Sequence, residues 1–327
     1  MSWIVDKFEI LDSKIPSSVL NIISIISGIC TIGATLIGIV LSFCGQIQLS
    51  AIYVIIIIAL SGLAFLLLSR MKKYHKMSFD RMKVDSFYYH KMTHSARDVY
   101  FDIMHEHKLQ HQTIQTLTST YKDKLQFILD YLCSIMKNYT GQEVYACIKL
   151  ICPRDDEINI NNAMLTTFCR SSNSTSRRGA YEGELPNDEI QLINNTDFAD
   201  IVDMVNGAHK NSFYQSNLKD YDRTLRTQGK YYKNTNPNWE EDYIGTIVVP
   251  IQIKFDKLYY PKKDDLRYNS NHLIGFLCVD SLSPNAFLLK QENFNTDTLK
   301  AFADIIYILL GQYNHYLKTL SSSNTTS

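Results

Sequence analysis

Charge is missing from two long stretches of this chain, residues 19–43 and 51–69, where no Asp, Glu, Lys or Arg occurs. The first run has 25 residues, about 37 Å as a helix at ~1.5 Å per residue. The second has 19, or roughly 28 Å. A hydrocarbon core of ~30 Å needs about twenty apolar residues, so each run is long enough to span it. Soluble helices rarely go so many turns without a polar face, which counts against a buried core hairpin. A cleaved signal sequence fits poorly, because it starts with a short basic region and an apolar core of about 7 to 15 residues. Here Asp6, Lys7, Glu9, Asp12 and Lys14 precede a longer run. The linker from Cys44 to Ser50 leaves room only for a hairpin turn, so the sequence predicts two transmembrane helices.

The linker also lacks Lys and Arg, whereas Arg70, Lys72, Lys73 and Lys76 follow the second run. A basic flank marks the cytoplasmic side. Both termini are then expected in the cytoplasm, with the chain held in the cell inner membrane and the lipid bilayer as its first partner. The same basic run is suited to anionic headgroups at ~1 kcal/mol per Lys or Arg, although a plain stop-transfer flank explains it equally.

Further absences exclude function classes. Lys plus Arg equals Asp plus Glu at 33 each, a balance that argues against a general nucleic-acid binder. None of the seven cysteines forms a C-x-x-C pair, and a secreted disulfide framework is not expected. No Ser-His-Asp order, H-E-x-x-H, Walker pattern or G-x-S-x-G is present, so the sequence predicts no enzymatic activity. The acidic clusters at 155–157 and 240–242 read as solvated turns.

Residues 77–112 contain neither Gly nor Pro, and Met92, Ala96, Val99 and Ile103 step at helical spacing. The stripe resumes through Leu117, Tyr121, Leu125, Ile128, Leu132 and Ile135, with stop residues at 138–141. A juxtamembrane helical linker over 70–120 is therefore expected. Membrane anchoring aligns copies of it in parallel, which favours a homodimer or higher homo-oligomer.

Beyond Gly141 the pattern becomes that of strands, at 144–151, 163–170, 244–255 and 272–281. A helix is expected over 197–206 with Thr196 as its cap, and another over 296–317. Residues 171–188 and 256–271 read as loops. The segment 210–243 has low propensity for regular structure, and the tail over 319–327 is expected to be disordered. The fold class is α+β, with the main domain over 121–318.

Three segments of that domain resemble the GAF family. Leu273 to Ser281 is similar to the family's penultimate strand, which ends in an Asp-Ser pair, here Asp280 and Ser281. Phe294 to Asp297 resembles the turn that opens its last helix, and Tyr243 to Ile251 its strand with a Pro-hydrophobic step. The resemblance implies a GAF-like antiparallel sheet with helices on one face and a ligand pocket under loops on the other. It implies a sensor. The Asn-Lys pair of the cyclic-nucleotide type is replaced by Asp280 and Ser281. No cysteine precedes a histidine as the bilin type needs. The methionine-sulfoxide-reducing type needs partnered cysteines, and Cys169 shows no partner in sequence. No cofactor is named by these residues.

Arg170, Arg177, Arg178, Tyr181, Trp239 and Tyr243 offer guanidinium forks and stacking faces for a small-molecule or nucleotide-like ligand. The alternative is that these are ordinary loop side chains, with Trp239 in the core. Six of the nine histidines lie between 75 and 111, and His90 and His94 share a helical face suited to a metal. A plain histidine surface explains them as well. The resulting expectation is a membrane-anchored cytoplasmic sensor. Two other readings stay open: a ligand-triggered, membrane-perturbing effector such as occurs in bacterial antiphage defence, and a dimerising scaffold. The small residues Ser24, Gly28, Thr31, Thr35 and Gly38 suit the close helix contacts of the former.

Overall fold

The computed structural model describes residues 47–107, 113–152, 158–174, 190–207, 212–253, 273–284, 286–288 and 291–324, with scattered positions between 28 and 45. Two compact units result, Met1–Met82 and Lys83–Ser327.

In the first unit the described residues at 32–33, 35–40 and 42–43 are helical. Gly45 follows at φ 76°, its N–H donating to the Ser42 carbonyl at 3.3 Å. That left-handed turn is a common helix ending, and glycine adopts it without a Cβ penalty. Helix α1 (Ile47–His107) comes next. Among the described residues one helix, Ile55–Asp102, is long and apolar enough to cross a membrane, and its apolar window is unburied. The two-helix hairpin expected from sequence is thus reduced to one such helix, because most of the first run lies outside the described residues.

The second unit is built on a six-stranded antiparallel sheet, in the order β3-β2-β1-β6-β5-β4. Its strands are β1 (Tyr145–Ile151), β2 (Met164–Arg170), β3 (Ile190–Gln191), β4 (Phe213–Gln215), β5 (Gly245–Gln252) and β6 (Leu273–Ser281). Pro250 has no N–H to give, and β4 pairs with β5 only from Thr246 to Val248, so the proline sits where that edge needs no donor. Gly275 is required where β6 meets β1: a Cβ there would lie 2.2 Å from the Lys149 carbonyl oxygen.

One sheet face is covered by α2 (Ile114–Thr140) and the last helix, α6 (Glu292–Asn324). The Thr113 hydroxyl caps α2 by accepting from the Thr116 N–H at 3.2 Å, and Gly141 closes it at φ 68°. The stripe from Leu117 to Ile135 is buried as its spacing requires. Met92 and Val99 of α1 enter the same core, and Tyr89 packs on Phe302.

The other face carries α3 (Thr196–Gly207), α4 (Leu218–Thr227) and α5 (Trp239–Asp242). Helices therefore lie on both faces of the sheet, not on one as expected. The segment 210–243 is also more regular than its polarity suggests. Helix α4 is capped by Asn217 and buries Leu218 with Asp222, a short amphipathic pattern masked by its charges. Thr196 does not cap α3; its hydroxyl accepts from the Lys233 N–H at 2.8 Å. Helix α6 runs to Asn324, where a disordered tail was expected, since extending a formed helix costs little when no Gly or Pro intervenes after Gly311.

Candidate functional site

Alternation along the strands divides the sheet into two chemistries. Ala146, Ile148, Ile247, Val249, Leu277 and Val279 face α2 and α6. Cys147, Val248, Phe276 and Cys278 face α3. By the same period of two, Lys149, Thr246 and Asp280 share that second face. Cys147 lies opposite Cys278 on β6 and opposite Arg170 on β2, while Lys149 lies opposite Thr167. Polar and sulfur-bearing groups from four strands thus converge beneath α3.

Helix α3 supplies the cover. Phe198 meets Phe276 at a tilt of 47°, with ring centroids 4.9 Å apart. Beside it, Asp197 is buried with its Oδ1 accepting from the Phe198 N–H at 3.1 Å. Burial pushes the Asp197 carboxyl up to about 7, reinforced by nearby Asp280 and opposed by Lys149. Lys149 Nζ donates to Thr167 Oγ1 at 3.1 Å, and an Arg170 guanidinium nitrogen approaches the same oxygen at 3.4 Å. Thr246 Oγ1 donates to Asp280 Oδ1 at 2.6 Å, which holds that carboxylate in place.

Residues 231–243 form the adjoining wall. Tyr232 meets Trp239 edge-on at 4.9 Å, and the Asn234 amide donates to the hydroxyls of Tyr232 and Tyr243. Burial raises the Tyr232 phenol well above its usual range, so it stays a neutral donor. This irregular wall is tied down from behind. The Asn195 amide donates to Thr235 Oγ1 at 2.8 Å, the Thr235 N–H donates to Asn195 Oδ1, and the Tyr232 N–H donates to Asp222 Oδ1. A cleft of about 310 Å³, lined by Asn194, Tyr232, Asn234 and Trp239 among others, opens along the wall.

Of the side chains singled out in sequence, Arg170 lies on the second face, and Trp239 and Tyr243 belong to the aromatic wall, both nearly buried. Arg177, Arg178 and Tyr181 lie outside the described residues. Asp197, Lys149, Asp280, Cys147 and Cys278 escape a reading of the sequence. A period-two reading of Cys147 with Lys149, and of Cys278 with Asp280, would place each pair on one face. Their shared position across strands depends on register, which the sequence does not display.

The histidine pair is placed as expected but is not completed. The rings of His90 and His94 are 4.1 Å apart, and an Arg97 guanidinium nitrogen lies 3.3 Å from His94 Nδ1. Desolvation, then the positive charge of His90 and Arg97, lowers the His94 pKa. Among the described residues no group of three His, Cys, Asp or Glu is positioned to hold a metal ion.

No family model matches this chain, and no curated protein does. Solved structures similar to it include the type II free methionine-R-sulfoxide reductase from Thermoplasma acidophilum, at 13% identity and a TM-score of 0.33, over 60% of this chain and 96% of that one. The fRMsr of Staphylococcus aureus, solved with its substrate, is 10% identical over 62% of this chain and 97% of its own, with a TM-score of 0.29. The chromophore-binding domain of the bacteriophytochrome RpBphP3 from R. palustris is 9% identical over 69% of this chain and 63% of its own, with a TM-score of 0.30. These comparisons correct the expectation of a domain without enzymatic activity, since two of the three structures are those of enzymes. At such identities they assign no reaction to this chain. The described architecture is an antiparallel six-stranded sheet with helices in an α+β arrangement.

Proposed function

We propose that this chain is a membrane-anchored sensor whose GAF-like domain binds a small polar molecule on the sheet face beneath α3. The observation that carries this reading is Asp197. A buried carboxyl that accepts from a backbone N–H is still costly to hold in place unless a further group uses it. An incoming ammonium or other cationic donor would restore its charged form. Lys149 and Arg170 on the neighbouring strands suit an anionic group of the same ligand, and the Tyr232–Trp239–Tyr243 wall suits its flat or apolar part.

Coupling to the membrane runs through α1 in this reading. The same helix carries the apolar stretch and, further along, the buried side chains Met92 and Val99. A change in domain packing therefore has a covalent route to the bilayer, with the termini on the cytoplasmic side. Phe87 and Phe101 of α1, 53% and 61% exposed, and Ile308 of α6, 60% exposed, suit contact with a second copy of the chain.

The test is a thermal-shift screen of the detergent-solubilised full chain against amino acids, polyamines and nucleotides, repeated with Asp197→Asn. A compound that stabilises the natural chain and is at least tenfold weaker on the variant supports the site. A hit indifferent to Asp197→Asn, or no hit among cationic and amphoteric compounds, removes the reading.

A further inference from the structure

Cys147 of β1 and Cys278 of β6 stand directly opposite one another in the antiparallel register. Opposed residues of such a pair have Cα atoms about 4.5–5.5 Å apart, inside the ~4.4–6.8 Å that a disulfide spans. Both are free thiols, nearly buried at 6% and 4% exposure, and both sit in the same buried cluster on the second face. We propose that Cys147 and Cys278 form a reversible dithiol–disulfide couple, a redox site within the face that Asp197 and Lys149 also line.

The two sulfurs are not equivalent. A hydrogen bond from Cys278 lowers the Cys147 pKa, aided by the charges of Lys149 and Arg170, while burial raises Cys278. Of the two, Cys147 is the more readily ionised and Cys278 the one that keeps its proton, a division suited to one attacking and one resolving cysteine. Cys133 and Cys169 contrast with them. Burial pushes both up to about 12, and Cys169 is turned to the opposite face, where its Sγ donates to the Lys122 carbonyl at 3.3 Å.

A hydroperoxide is the oxidant class that fits a small, covered site. The Cys147 thiolate attacks one peroxide oxygen and the O–O bond breaks. A sulfenic acid forms, and the departing alkoxide or hydroxide takes a proton from solvent. The Cys278 sulfur then attacks the sulfenic sulfur, its proton leaves with the hydroxyl as water, and the S–S bond closes. Two electrons pass from the sulfurs to the peroxide, giving one disulfide, one alcohol or water, and one further water. A cellular dithiol reverses the step by exchange.

The experiment uses the full chain in detergent, treated with hydrogen peroxide, quenched with N-ethylmaleimide after unfolding, and digested without reduction for mass spectrometry. The expected result is a peptide linking Cys147 to Cys278, lighter by two hydrogens and abolished by dithiothreitol, with Cys133 and Cys169 still alkylated. In Cys278→Ser the link is lost, and a sulfenic-acid-trapping dimedone adduct accumulates on Cys147 instead. Recovery of both cysteines as maleimide adducts at peroxide levels that oxidise surface methionines would overturn the proposal. So would conversion of Cys147 to the sulfinic acid without any linked peptide.

Discussion

The two faces of one sheet differ more than any two segments of the sequence do. Toward α2 and α6 the strands present Ala146, Ile148, Ile247, Val249, Leu277 and Val279, and the opposing helices answer with Leu125, Ile128, Phe302 and Ile306 at zero exposure. Toward α3 the same strands set Cys147, Lys149, Thr246, Cys278 and Asp280 among the apolar Val248 and Phe276, and the helix answers with a buried carboxyl beside Phe198. The first face is organised for burial, at about 25 cal/mol per Å² of apolar surface removed from water. The second holds polar groups under cover at a cost, which natural sheets accept mainly where those groups have a task.

Removing packing from the first face should have the largest effect. Phe302 is fully buried and touches Tyr89 at a ring separation of 5.9 Å. Phe302→Ala should cost about 3–5 kcal/mol, from lost transfer energy and the cavity left behind. Urea unfolding of the variant checks this. A loss under about 1 kcal/mol would mean that the helix-covered face is looser than its burial indicates and that the contrast between the faces is false.

The second face should reveal itself through pH. An unfolded aspartate releases its proton near ~3.9, whereas Asp197 in the fold holds it to about 7. Between those values unfolding releases a proton, so raising the pH favours the unfolded state. The stabilisation is complete below the unfolded pKa and is lost as pH rises through the folded one. The expected decline from pH 4 to 8 is about 2–4 kcal/mol, since each tenfold gain in proton affinity on folding is worth ~1.36 kcal/mol. Asp197→Asn, which has no proton to lose, should flatten that decline. If the variant keeps the whole slope, another group governs it and Asp197 is not the strained member of this face.

The same contrast explains what is legible in sequence. Amphipathic helices advertise themselves: Leu117, Tyr121, Leu125, Ile128, Leu132 and Ile135 recur at three and four, and all are buried. Strands β1, β2, β5 and β6 are equally plain, since β-branched and aromatic residues cluster there. Asp197 is not, because an acid in the first turn of a helix is ordinary at an exposed N-terminus and becomes unusual only once α3 is laid on the sheet. The pairing of Cys147 with Cys278 joins residues far apart in sequence through a register that no local pattern encodes. Helix α4 is hidden for a different reason, since three apolar positions, Leu218, Tyr221 and Leu225, sit among charges over only 10 residues. The apolar run at 51–69 is legible from composition alone, and α1 contains it.

The smallest test falls at the edge of the first face. Gly141 ends α2 at φ 68°, and nothing lies within 4 Å of where its Cβ would stand. Gly141→Ala therefore meets no steric neighbour and should cost only the left-handed backbone penalty, about 1–2 kcal/mol. Gly275 is the opposite case, since its added Cβ would lie 2.2 Å from backbone that pairs β1 with β6. Gly275→Ala has to part the two strands that carry Cys147 and Cys278, so it should disturb both faces at once. Thermal melts of the two alanine variants, read beside maleimide labelling of the cysteines, separate these effects. Gly141→Ala should lower the midpoint slightly and leave labelling unchanged, while Gly275→Ala should expose the thiols. Equal labelling in both would mean that close β1–β6 contact does not protect the thiol pair, and the second face would lose its claim to be sealed by the sheet beneath it.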